Sequence, residues 1–273
     1  MRVGFGAATV ALVVIASPVD SAAPRTICQP QALHDLQRLS PRGYDVYLAM
    51  KDKQQFLAFL TCDDVQLGLS TAVHESVHIL TEQYDAYPLI TGGSVARLHA
   101  ISRFYPPREI AVAFNRNDNY VQTYLRRGAA SSADDLSYLF DELNAYSHDL
   151  ASATKLVAIH REDDGQVDHR AGLAALMSFV MHYAKTARED KPATWKGLQR
   201  PEVKALVRTL WTQAETVLMA SWGIPEFGGE KYVEGLCNRQ NGDALAELID
   251  GDTMNPQVCA ALATASSGGS LTK

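Results

Sequence analysis

The feature that most constrains this chain is the run His74-Glu75-Ser76-Val77-His78. Positions i and i+4 share one face of an α-helix, so both imidazoles reach a single metal ion only if the run is helical. The glutamate stands beside that face, where a carboxylate can hold a water and take its proton. The run therefore demands a helix and a second packed element that supplies a further ligand. The metal it points to is Zn2+, and the chemistry is hydrolysis of an amide bond.

The flanks agree with a helix. Val65, Leu69, Val73, Val77 and Leu80 recur at helical spacing. Asp63 and Asp64 precede them, where a carboxylate can cap and favours the helix dipole. The spacing predicts a helix from Val65 to about Glu82. The plain alternative is two core histidines without a ligand, but histidine is rarely buried twice in one turn for that reason alone.

Two histidines leave a catalytic zinc incomplete, since it has three protein ligands and one water. Leu80–Leu89 contains neither a glycine nor a third histidine, which excludes the metzincin arrangement. The best third ligand is Glu142, in Asp141-Glu-Leu-Asn-Ala-Tyr-Ser-His148. It lies on a helix expected to open at Ser132-Ala-Asp-Asp135 and run to about Leu156, with Leu136, Leu139, Phe140, Leu143 and Leu150 on one face. Ala145, one turn on, is small enough to let that helix approach the first. Asp141, His148 and His99 are rival ligands.

With His74, Glu75, His78, Glu142 and Ala145 in place, the chain resembles the gluzincin metallopeptidases, in which H-E-x-x-H is followed by a glutamate helix of form E-x-x-A-D. No narrower family is indicated. The resemblance implies a zincin-like fold, His74, His78 and Glu142 on one Zn2+, and Glu75 as general base. It departs at Tyr146, where the family places an aspartate that orients a ligating histidine. Asp149 or Asp141 is left to supply that contact. Tyr146, His148, Arg97 and His99 are candidates to stabilise the oxyanion, and Tyr146, His148 and Asp149 to support ligands or transition state; the residues alone do not choose among them.

The N-terminus reads Met1-Arg2, an apolar run from Val3 to Ala16, then small residues to Ala23. That is the pattern of a secretory signal peptide over residues 1–23, too short for a membrane span of about 20 apolar residues. An uncleaved membrane tether is the alternative. The mature chain keeps four cysteines, Cys28, Cys62, Cys237 and Cys259, and an oxidising compartment makes two disulfides the default. The pairs nearest in sequence, Cys28–Cys62 and Cys237–Cys259, are favoured. The expected location is secreted or periplasmic. Net charge is −6, and loss of Arg2 and Asp20 with the leader leaves it unchanged. That argues against nucleic acid and anionic membranes as partners and leaves a peptide or protein substrate.

The rest reads as predominantly α, with α+β open through at most a small sheet. Gln31–Leu39 and Lys53–Thr61 are expected helices, and Gly43–Met50 a short strand from its alternation of Tyr44, Val46, Leu48 and Met50. Tyr84–Gly93 is a turn-rich loop, Val95–Tyr105 a helix, and residues 108–130 carry no clear period. Further on, Ala171–Ala187 and Glu202–Trp222 are helices, Pro192–Pro201 a linker, and Cys237–Cys259 two short helices. This divides the chain into a zincin-like part, 24–190, a helical part packed on it, 191–262, and a disordered tail, 263–273. The acidic loop Glu162–Asp168 lacks EF-hand spacing and reads as a solvated turn. His160, His169 and His182 read as structural. The aromatic residues of 84–124, among them Tyr120 and Tyr124, fit either apolar side-chain pockets or ordinary packing.

Three functions remain: an exported zinc peptidase, a non-enzymatic helical protein with a structural or vestigial site, or a zinc hydrolase of other amides or esters. The intact Glu75 favours a hydrolase, because a closed structural site has no use for it.

Overall fold

The computed structural model describes residues 28–128, 133–161, 169–224, 227–254 and 259–260. The leader, the loop 162–168 and the tail lie outside these. The described chain is predominantly helical with one two-stranded sheet. None of its helices is long and apolar enough to cross a membrane.

The N-terminal layer is α1 (Gln29–Leu39), α2 (Pro41–Ala49) and α3 (Lys53–Phe59), packed around α4 (Val65–Tyr84), the helix that carries the motif. Asp64 caps α4 by accepting a hydrogen bond from the Leu67 amide at 2.9 Å. Asp85 ends it in the left-handed conformation, its amide donating to the Thr81 carbonyl. Leu36, Phe56, Leu60, Leu69, Val73 and Val77 form one apolar core there. The Cys28–Cys62 disulfide ties the start of α1 to the approach to α4.

The central element is α6 (Leu136–Leu156), capped by Asp135 through the Ser137 amide. One side contributes Ala145 and Leu156 to the N-terminal core. The other contributes Leu139, Phe140, Leu143 and Leu150 to a second core with α7 (His169–Asp190), α9 (Pro201–Ala220), α10 (Glu230–Leu236) and α11 (Arg239–Ile249). A helix shared by two cores cannot shift along its neighbours without opening both. The Cys237–Cys259 disulfide closes the C-terminal end, and α11 fills most of the span between its cysteines.

The observed elements correct the sequence expectations in three places. Residues 43–50 form the helix α2, not a strand. Pro41 occupies its first turn, where a proline starts helices. The buried residues are Gly43, Val46 and Met50, a helical stripe, whereas Leu48 is exposed. Residues 192–201 are not a linker either, because Pro192 and Pro201 open the helices α8 (Pro192–Leu198) and α9.

Residues 95–105 are not a continuous helix. β1 (Ala86–Pro88) pairs antiparallel with β2 (Ser94–Ala96), Tyr87 opposite Val95, and a 3₁₀ turn covers His99–Arg103. Gly92 and Gly93, at φ +96° and +75°, reverse the chain between the strands. The hairpin is anchored to α6: the Tyr87 hydroxyl donates to the Ser137 carbonyl at 2.9 Å, and the Asn144 amide donates to the Pro88 carbonyl at 3.0 Å. Tertiary anchoring overrides the local period. In the stretch that carried no period, the structure has a 3₁₀ segment, Pro107–Ala113, and a short helix, α5 (Asn119–Tyr124).

Gly68 lets the segment before α4 lie on the motif helix. A Cβ there would sit 2.6 Å from the Thr61 nitrogen and 2.8 Å from its carbonyl oxygen, both backbone atoms. Gly68→Ala is expected to cost about 1–3 kcal/mol by overpacking, outweighing alanine's helix propensity advantage of about 1 kcal/mol. Urea unfolding measures this; an unchanged or raised midpoint would contradict the packing described.

Candidate metal centre

α6 lies along α4 more extensively than any other two elements pack. Ala145 is fully buried in the same core as Val73 and Val77. The small side chain brings Glu142, one turn earlier, against the motif. The Nε2 atoms of His74 and His78 are 3.2 Å apart. The Glu142 Oε2 lies 3.7 Å from the first and 3.5 Å from the second. These three donor atoms form a cluster that can hold a metal ion.

The cluster is built for a positive occupant. Glu142 is 6% exposed, and its Oε2 is a buried oxygen without a hydrogen-bond partner. An unsatisfied buried carboxylate oxygen is costly, and a cation between it and two imidazole nitrogens removes the cost. Burial alone would raise the Glu142 carboxyl, but the His74 and His78 imidazoles hold it well below the usual carboxylate range. Burial likewise opposes charge on His78, yet its hydrogen bond with Asp141 and the Glu142 carboxylate beside it push it up to about 10. Asp141 and Asp149 add their carboxylates to that of Glu142, so the field at the centre is negative.

The orienting contact comes from Asp141. Its Oδ2 lies 2.6 Å from His78 Nδ1, so the ring's Nδ1–H donates to the carboxylate and Nε2, on losing its own proton to an incoming metal ion, would be the ligating atom. Asp149 stands behind the other histidine, Oδ2 at 3.8 Å from His74 Nδ1. Its Oδ1 accepts from His169 Nδ1 at 2.9 Å. His169, read as structural from sequence, thus backs a carboxylate of the site. Asp141 and Asp149 were both legible in principle. Glu142, Tyr146 and Asp149 follow at i, i+4 and i+7, so they share the face turned to α4. His169 gave no such signal, because it comes from α7.

Glu75 is half-buried and, among the described residues, has no side-chain hydrogen bond or ion pair. Tyr146 packs edge-on against His74, ring centroids 4.6 Å apart, and shares a 2.8 Å hydrogen bond with the Tyr124 phenol. Tyr124 was noted in sequence only for its aromaticity, since nothing in residues 108–130 placed it.

The remaining candidates lie elsewhere. His148 Nε2–H donates to the Pro88 carbonyl at 3.0 Å, and burial takes its imidazole down to about 4, so it ties α6 to the hairpin as a neutral ring. His99 is exposed and pairs with Asp85 at 2.8 Å. Arg97 is held by Glu82 and lies over the Tyr138 ring.

The chain is expected to bind one divalent ion. Glu142→Ala should abolish binding, and Asp141→Asn should weaken it by roughly 10–100-fold, the usual loss when a ligand's carboxylate partner is removed. His148→Ala should keep the ion. Elemental analysis and competition with a chromogenic chelator read all three; loss of metal in His148→Ala with retention in Glu142→Ala would refute the ligand set. No family model, curated protein or solved structure matches the chain.

Proposed function

We propose that the chain is an exported zinc-dependent peptidase, with His74, His78 and Glu142 as ligands and Glu75 as general base. The observation that carries this reading is the triangle of two imidazole nitrogens and one orphaned carboxylate oxygen beside Glu75, which has no side-chain hydrogen bond or ion pair among the described residues. Two histidines and a carboxylate are a catalytic zinc donor set, and tetrahedral bonds of about 2.0–2.2 Å set donors roughly 3.3–3.6 Å apart. The observed separations are 3.2, 3.5 and 3.7 Å. The two disulfides point to an oxidising extracellular or periplasmic setting, which supports export.

Zinc at this position would lower the pKa of a water to about 7 and polarise the substrate carbonyl. Glu75 would take a proton from water as its oxygen bonds to the carbonyl carbon, and would deliver that proton to the amine nitrogen as the C–N bond breaks. His78 is kept in its ligating tautomer by Asp141. Arg97, His99 and His148 are engaged elsewhere, which leaves Tyr146, hydrogen-bonded to Tyr124, as the phenol whose ring lies against His74.

A closed structural site would need a fourth protein ligand. Among the described residues the grouped donor atoms are three, from His74, His78 and Glu142; His148 Nε2 is given to Pro88 and Asp149 Oδ1 to His169. This supports a position open to water and substrate.

Glu75→Gln should retain zinc and lose roughly 10²–10⁴-fold in kcat, the range for removing a general base. The assay is hydrolysis of a fluorogenic peptide library, run beside ester and N-acyl substrates, with zinc measured in the same samples. Undiminished turnover in Glu75→Gln would refute the role of the glutamate.

A further inference from the structure

A row of tyrosines runs outward from the metal centre. Tyr146 lies edge-on to His74 at 4.6 Å. Tyr120 meets Tyr146 at 6.5 Å and an interplanar angle of 76°. Tyr232 meets Tyr120 at 5.9 Å and 82°. Tyr124 closes on Tyr146 from the other side at 6.0 Å and 84°. Each pair is edge-to-face, the geometry aromatic rings prefer. The row joins α6, α5 and α10.

The wall is rigid at its root. A Cβ on Gly172 of α7 would lie 2.2 Å from Tyr146 Cε1, so the α7 backbone presses that ring against His74. Beyond it, Tyr120, Tyr146 and Tyr232 are only half-buried, so each keeps part of its ring at the surface. The wall begins at His74, the residue that precedes Glu75 in the chain. Tyrosines are amphipathic, with an apolar face and a polar tip, and suit a surface that is wet until something covers it.

We infer that this tyrosine wall is the side-chain recognition surface of the centre, selecting substrates with an aromatic or large aliphatic residue next to the bond that is cut. The inference rests on the peptidase reading and adds the substrate class to it. An apolar side chain beside the scissile carbonyl would cover the exposed parts of Tyr146 and Tyr120, whereas an acidic one would meet Glu75, Glu142 and Asp141. Both effects act in one direction, favouring apolar and penalising acidic residues.

The test uses the zinc-loaded full chain and a set of peptides identical except for the residues flanking the scissile bond, which are Phe, Leu, Ala or Asp. Phe and Leu peptides should exceed Ala and Asp peptides in kcat/KM by roughly tenfold or more, the scale on which apolar pockets discriminate. In Tyr120→Ala, the Phe-to-Ala ratio should fall by several-fold while bound zinc is unchanged. Tyr120→Phe should keep the ratio, since the ring and not the hydroxyl is invoked. Cleavage with no such preference, or an unchanged ratio in Tyr120→Ala, overturns the inference and leaves the peptidase reading standing. Cleavage of none of the peptides by zinc-loaded wild type overturns both.

Discussion

Everything in this structure depends on the close contact between α4 and α6. The contact is apolar at its centre, where Val73 and Val77 meet Ala145, and ionic at its edge, where His74 and His78 meet Asp141, Glu142 and Asp149. The apolar part supplies the driving force, because burying such side chains is favourable and non-directional. The ionic part by itself is unfavourable, since it takes carboxylates out of water. Packing therefore creates a charge problem that a bound cation would resolve. A larger residue at Ala145 would separate the helices and disperse the cluster, and the site and the core are in this sense one construction.

The same arrangement explains why the supporting carboxylates come from α6 and not from the motif helix. Glu142, Tyr146 and Asp149 descend one face of α6, and Asp141 sits beside the first of them. Together they give a candidate ligand, a hydrogen-bond partner for His78, a ring against His74 and a carboxylate behind it. α7 then stiffens the outer side through His169, on Asp149, and Gly172, against Tyr146. The neighbouring Arg170 is buried and donates to the Gly228 and Ser221 carbonyls, so α7 also fixes the connection between α9 and α10. The C-terminal helices thus reach the centre through α7, without supplying a ligand from the described residues.

What could be read from the sequence was what repeats or caps. The motif helix was visible in Leu69, Val73, Val77 and Leu80 and in its Asp64 cap; α6 was visible in Leu139, Leu143 and Leu150. The cluster of His74, His78 and Glu142 followed from one motif and one small residue at the right offset. What failed was decided by position or by distant partners. Pro192 and Pro201 each start a helix, but a proline read without its neighbours looks like a break, and the alternation of Tyr44, Val46, Leu48 and Met50 masked the helical stripe of α2. The strand β2 exists because β1 is fastened to α6 through Tyr87 and Pro88, a cause far from residues 94–96. His169 and Tyr124 reach the site from α7 and α5, and no spacing within one helix announces a residue that arrives from another.

The central claim is a three-ligand metal position, open on its fourth side. X-ray absorption spectroscopy of the zinc-reconstituted chain tests it most directly. The account predicts a first shell of four nitrogen or oxygen atoms at about 2.0–2.1 Å, with the outer-shell signature of two imidazoles and no sulfur. Glu142→Ala should lose that shell, and an added hydroxamate should replace one light atom in it. A shell with three or more imidazoles, or one that hydroxamate leaves unchanged, would contradict it.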